Sequence, residues 1–207
     1  MNIVEISPFK GNTMCIVLES GRRLYINKGI VTSHRLAVGS PVDDDYADSL
    51  ERENDLRRAK ERALYLLEGQ DYSREELYRK LKASYAEDIA DSVCDMMSEL
   101  HLINDRKYAE KLCKHLSEVK CYGKYRIKQE LCRRGIDKEL AGEVMEEFLS
   151  EDDDSFVRLE HLVEVKYERY LTDRKGVEKV KNALLRRGYS YGEIREVLDL
   201  YDLDFDD

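Results

Sequence analysis

Two arginine pairs, Arg133-Arg134 and Arg186-Arg187, stand where cations could grip a carboxylate or a phosphate, and a glycine follows each pair at once. The same placement has a structural use, because cations on the last turn of a helix complement its dipole and bond its free carbonyls, worth ~0.3–1 kcal/mol each. Lys124 and Arg126 are different. They fall near the start of a helix, where they oppose the dipole, which points to an acidic group supplied by an outside partner or by the chain itself. Tyr122 and Tyr125, flanked by Lys120, Lys124 and Arg126, have the basic interleaving of a base-stacking site. Of the other tyrosines (14 in all, with no tryptophan), Tyr65, Tyr108, Tyr167 and Tyr170 lie on or beside apolar stripes, which predicts places in the core or between helical units.

Other chemistry finds little support. Cys113-Lys114-His115 with Cys121 invites a zinc reading, yet the chain has no C-x2-C pair and its four histidines are scattered, so a closed metal site is not expected. The Asp152-Asp153-Asp154 run reads as a cap and spacer that collects cations weakly at best. Asn104-Asp105 reads as a helix cap. No phosphate-binding glycine loop, dinucleotide fingerprint or nucleophile elbow occurs. The expectation is a protein without catalytic residues, cofactor or metal.

The elements that must position these cations repeat along the chain. Arg126 to Gly135 (RIKQELCRRG) returns 53 residues later as Lys179 to Gly188 (KVKNALLRRG). Ile127 and Leu131 in one copy, and Val180 and Leu184 in the other, lie four apart on one helix face. Each glycine is free to take the left-handed conformation that stops a helix, and Asp137 or Ser190 starts the next. Leu77 and Leu81 make a third, looser copy, which Ile89, Val93 and Met97 continue. Capping boxes are predicted at Ser73-Arg74-Glu75-Glu76 and at Ser190-Tyr191-Gly192-Glu193. Ahead of the helices, Asn2–Ile6, Thr13–Glu19 and Arg22–Asn27 read as three short strands, with Ser20-Gly21 as a hairpin turn and a short helical piece around Thr32 to Leu36. The helical pattern begins near Asp48, with Leu50, Leu56, Ala59, Ala63, Leu64 and Leu67 inward.

The predicted fold is therefore mainly α: three tandem three-helix repeats in an elongated arrangement, preceded by a small antiparallel β module. The expected segments are residues 1–42 (β module), 43–56 (acidic linker and start of the first helix), 57–103, 104–150 and 151–207 (three repeats, the last with an acidic tail). The net charge of -9 is unevenly spread. Residues 40–56 contribute -6, 151–154 contribute -4 and 199–207 contribute -5, so the rest of the chain is +6. That balance permits nucleic-acid contact without giving it a large basic footprint. Five cysteines without paired spacing, no signal peptide and no long apolar run lead to the expectation of a cytoplasmic protein with reduced thiols and no membrane contact.

Three strings in order resemble the RecX family of recombination regulators. They are Ala63-Leu64-Tyr65-Leu66-Leu67 with Ser73-Arg74-Glu75-Glu76-Leu77, then Leu102-Ile103-Asn104-Asp105-Arg106-Lys107-Tyr108-Ala109, then Gly123-Lys124-Tyr125-Arg126-Ile127 with Glu130-Leu131 and Arg134-Gly135-Ile136. The likeness spans roughly 60–149 and extends more loosely through the third repeat; Cys121-Tyr122 before Gly123 departs from it. The resemblance implies a non-enzymatic monomer that binds the RecA nucleoprotein filament and lowers its extension, ATP hydrolysis, strand exchange and co-protease activity. Lys124, Arg126, Arg133, Arg134, Arg186 and Arg187 are the candidate contacts. The alternative is a helical-repeat protein that binds single-stranded nucleic acid directly, and weak contact with single-stranded DNA fits either reading.

Overall fold

β-Branched and aromatic residues at the start of the chain build three strands, β1 (Ile3–Lys10), β2 (Thr13–Leu18) and β3 (Arg23–Asn27), in a computed structural model that describes residues 1–149 and 152–201. They form an antiparallel sheet in the order β1-β2-β3, with Ile6 opposite Ile16 and Ile16 opposite Leu24. Ser20-Gly21 makes the expected turn, its glycine at φ 84°. The short helix α1 occupies Lys28–Ser33 rather than the stretch around Thr32 to Leu36. Asn27 causes the shift: its side-chain oxygen accepts from Gly29 N at 2.7 Å and starts the helix directly at the strand end.

The acidic stretch, expected as a linker and the start of the first helix, is helical from Asp44 onward. Asp43 accepts from Tyr46 N at 2.8 Å and caps α2 (Asp44–Gly69), so Asp44 and Asp45 lie in a first turn that favours negative charge. Arg22 reaches Asp48 at 2.5 Å and Glu51 at 2.6 Å, tying the hairpin to this acidic face. The core under the sheet joins Ile16, Leu18, Leu24 and Ile26 to Ala47 and Leu50 of α2. Three short strands bury too little alone to be stable, and α2 supplies the missing apolar face. Asn54, buried on α2, accepts from Asn27 N at 2.9 Å and donates to Tyr25 O at 3.2 Å, closing the free edge of β3. Leu64 and Tyr65, expected inward, are 48% and 67% exposed, and Arg62 lies 5.4 Å from the Tyr65 ring centre.

Eight further α-helices complete the three repeats among the described residues. They are α3 (Arg74–Lys82), α4 (Glu87–Glu99), α5 (Asp105–Lys114), α6 (Lys124–Arg133), α7 (Lys138–Leu149), α8 (Asp152–Lys166), α9 (Arg174–Arg186) and α10 (Tyr191–Leu198). A π-helical turn at His115–Val119 extends α5, and a 3-10 turn at Glu168–Tyr170 follows α8. The aliphatic pairs point inward as expected: Leu77 with Leu81, Ile127 with Leu131, Val180 with Leu184. The Ser190 capping box is complete, and Asn104 and Asp137 cap α5 and α7. Tyr170, expected at an apolar stripe, is 45% exposed. The side chains of Asp152–Asp154 and the tail 202–207 lie outside the described residues.

The chain divides into two compact units, one of Met1–Gln70 with Leu77–Leu102, the other of Asp71–Glu76 with the chain from Ile103 onward. The entry turn of α3 thus belongs with the second and third repeats. Replacing Asn54 with Ala should leave the Asn27 N–H and Tyr25 C=O without partners and cost about 1–3 kcal/mol. The check is the urea midpoint of the full chain, and an unchanged midpoint would remove Asn54 from its edge-closing role.

Candidate functional site: the arginine-bearing helix joints

In the second and third repeats the second helix ends in Arg-Arg-Gly, and both ends meet the start of an earlier second helix. At the first joint, the end of α6 meets the entry turn of α3. Ser73 Oγ donates to Arg134 O at 2.5 Å, so one side chain caps its own helix and takes up a carbonyl that α6 leaves unpaired. At the second joint, the end of α9 meets the start of α6: Gly123 N donates to Arg187 O at 2.9 Å and Tyr125 N to Gly188 O at 3.2 Å. Gly135 and Gly188 sit at φ 85° and 91°. A Cβ on Gly135 would strike Glu75, and one on Gly188 would strike the Arg126 backbone. The glycines therefore serve twice, as helix stops and as the flat surface that permits the approach.

The two arginines of each pair have separate fates. Arg134, the second of its pair, turns inward. Its Nη1 donates to Glu76 Oε1 at 3.0 Å and to the Tyr108 hydroxyl at 2.9 Å, while that hydroxyl donates to Glu76 Oε2 at 2.9 Å. Burial, then the Glu76 carboxylate, pushes the Tyr108 phenol up to about 12. Arg187 also turns inward: Nη1 donates to Lys120 O at 2.7 Å and Nε to the Tyr167 hydroxyl at 3.2 Å. Arg133 and Arg186 are exposed; the Arg133 side chain is 68% exposed and lies 2.6 Å from Glu130.

The remaining candidates gather at the second joint. Arg126 pairs with Glu130 at 2.8 Å, the internal carboxylate left open as one of two readings of its position, while Lys124 is exposed at the start of α6. An open cleft of about 640 Å³ is lined by Tyr122, Arg126, Gln129, Tyr167, Arg186 and Arg187. Such a surface, with three guanidinium groups, two phenols and an amide on its walls, can hold an anion. Lys124, Arg133 and Arg134 are not among the residues lining it. Glu76, Tyr108, Tyr167 and Gln129 entered no sequence-based list of site residues. The repeat spacing that aligns Glu76 with Arg126 is the signal that could have found the first of them. Among the described residues no group of three His, Cys, Asp or Glu is placed to hold a metal, and no helix is long and apolar enough to cross a membrane.

Comparisons with known proteins agree with this architecture. Three family models match in tandem: the first three-helix domain of RecX at residues 59–95, the second at 104–145 and the third at 152–198. A Regulatory protein RecX from Trichlorobacter lovleyi is 33% identical over 141 residues, 66% of this chain and 91% of that one. Another from Clostridioides difficile is 28% identical over 186 residues, covering 89% of this chain and 86% of that one. A crystal structure of a regulatory protein RecX superposes with a TM-score of 0.69 over 96% of this chain and 98% of that one; at 20% identity it speaks to the fold.

Two phenols held in the joints make alkaline stability a test of this geometry. Tyr108 at the first joint and Tyr189 at the second, whose hydroxyl donates to Cys121 O at 3.1 Å, are both pushed up to about 12, mainly by burial. The unfolded chain releases these protons near 10.0, before the folded chain does, so their contribution is full below that pH and is lost as pH climbs toward 12. Urea midpoints should fall between pH 10 and 12, less steeply in Tyr108→Phe; identical slopes in both proteins would contradict the buried Tyr108 hydroxyl.

Proposed function

The chain belongs to the RecX family of regulatory proteins, and we propose that it works as a non-catalytic regulator that binds the RecA nucleoprotein filament. In this reading it acts in the cytoplasm as a monomer, limits filament extension, and so lowers ATP hydrolysis, strand exchange and co-protease activity. The supporting observation is the division of labour within the arginine pairs. Arg134 turns into its joint onto a carboxylate and Arg187 bonds across its own to neutral oxygens, while Arg133 and Arg186 occupy equivalent outward places on successive repeats. Repeating cations at equivalent positions suit a partner that is itself a repeating polymer, because each added repeat meets a like surface. Lys124 and Arg126 supplement that face at the start of α6.

A second reading, direct binding to single-stranded nucleic acid, draws on the arginine- and tyrosine-lined cleft at the second joint. Salt separates the two. Binding carried by phosphate neutralisation weakens steeply as salt rises, through loss of counterion release, whereas docking on protein surfaces weakens less.

The direct test is RecA ATP hydrolysis on single-stranded DNA with this protein added at substoichiometric and stoichiometric ratios. Wild type should lower hydrolysis, and the Arg133→Glu/Arg186→Glu double variant should lose most of that effect while keeping wild-type helicity, with a melting temperature lowered by the lost Glu130 pair and the reversed charge at two helix ends. Full inhibition by the folded double variant would remove these arginines from the contact; no inhibition by wild type would refute the reading altogether.

A further inference from the structure

The two joints share a backbone plan but carry opposite charge. Aligning Leu77 and Leu81 with Ile127 and Leu131 sets Asp71-Tyr72-Ser73-Arg74-Glu75-Glu76 against Cys121-Tyr122-Gly123-Lys124-Tyr125-Arg126. Each acid of the first entry turn is replaced in the second: Asp71 by Cys121, Glu75 by Tyr125 and Glu76 by Arg126. At the first joint the inward arginine meets a carboxylate, with Arg134 on Glu76 at 3.0 Å and the Tyr108 hydroxyl closing the triangle. At the second joint the residue in the place of Glu76 is itself an arginine.

The consequence is visible around Tyr122. The guanidinium carbons of Arg126 and Arg187 lie 5.8 and 6.0 Å from the centre of that one ring. Two like charges gathered on one aromatic ring repel each other while the ring face attracts both, so the ring holds them together without neutralising either. Arg126 has a carboxylate in Glu130, but Glu130 also serves Arg133 at 2.6 Å. Among the described residues neither Arg186 nor Arg187 is paired with a carboxylate; Arg187 makes its hydrogen bonds to neutral oxygens, Lys120 O and the Tyr167 hydroxyl. All three arginines line the open cleft, with the Gln129 amide beside them.

We infer that this cleft binds an anion from outside, a carboxylate of an acidic segment on a partner protein, held against Arg126, Arg186 and Arg187 as Glu76 is held against Arg134 in the first joint. A carboxylate fits better than a nucleotide for two reasons. The first joint shows the same arrangement of helix ends, arginine and tyrosine hydroxyl closing on a carboxylate. Within the cleft lining both aromatic groups are already engaged, Tyr122 by two cations and the Tyr167 hydroxyl by Arg187, while the exposed Tyr125 stands outside that lining. The inference deepens the reading of a protein-binding regulator and rests on it for the existence of a protein partner.

The test uses the full chain and a fluorescein-labelled hexaglutamate peptide, with anisotropy followed at low salt. Wild type should bind the peptide saturably. Arg187→Gln and Arg126→Glu should each weaken binding by about tenfold or more, the loss expected for one charged hydrogen bond. Arg126→Glu keeps the result interpretable, because it installs the missing carboxylate. A glutamate there suits the start of α6 and Glu130 keeps Arg133 as a partner, so this variant should keep wild-type helicity, with a modest fall in melting temperature from the lost Arg126–Glu130 pair, while losing the probe. Saturable binding that survives in folded Arg126→Glu, or no saturable binding by wild type, overturns the site. Stronger binding of a thymidine hexanucleotide, lost in the same variants, overturns the protein occupant in favour of nucleic acid. Wild type that inhibits RecA yet fails to bind hexaglutamate sinks this site and leaves the filament reading standing.

Discussion

The end of a helix leaves four carbonyls without partners inside that helix, and the second and third repeats relieve part of this shortfall by ending one helix against the start of another. Arg134 O takes a hydrogen from Ser73 Oγ, and Arg187 O takes one from Gly123 N. The glycine after each pair is what makes this geometry available. Gly135 and Gly188 hold positive φ, and neither could carry a Cβ without striking the neighbouring entry turn. Stop signal and docking surface are therefore one residue. The glycine cannot be exchanged for a left-handed asparagine, which would satisfy the first requirement and violate the second.

What was legible in the sequence obeys short-range rules. The caps at Ser73, Asn104, Asp137 and Ser190 each depend on residues two or three places away, and all four form. The inward aliphatic pairs depend on a spacing of four, and they too are found. The joints were not legible, because their partners are remote: Glu76 lies 58 positions from Arg134, and Lys120 lies 67 from Arg187. The helix period alone sets Arg134, three after Leu131, on the inward stripe and leaves Arg133 off it. What no local rule supplies is the partner that Arg134 meets on the neighbouring entry turn.

In the acidic stretch the order of the residues matters more than their summed charge. Seven acids between 40 and 56 read as a linker running into the first helix, and their individual places show why the helix begins as early as Asp44. Asp43 caps, Asp44 and Asp45 occupy a first turn that favours them, and Asp48 and Glu51 hold Arg22. The β module accordingly has α2 as the second layer of its core. The π-helical turn at His115–Val119 had no signal in the periodicity at all, since Leu112 and Leu116 keep a spacing that an unbroken α-helix would equally satisfy.

Because the joints are held by backbone carbonyls and glycines, the side chains around them are free to differ in charge without altering how the helices meet. At the first joint that freedom is used for closure, with Glu76, Tyr108 and Arg134 satisfying one another. At the second it leaves Arg126 and Arg187 around Tyr122 beside an open cleft. In a row of small helical units, surfaces that packing does not need are free to carry a binding function. A joint whose geometry is fixed by main-chain bonds is such a place: its arginines are positioned by the fold, while their charge remains available to a ligand. Two copies of one arrangement can therefore differ in charge, one closed by Glu76 on Arg134 and the other carrying an arginine in the place of that glutamate.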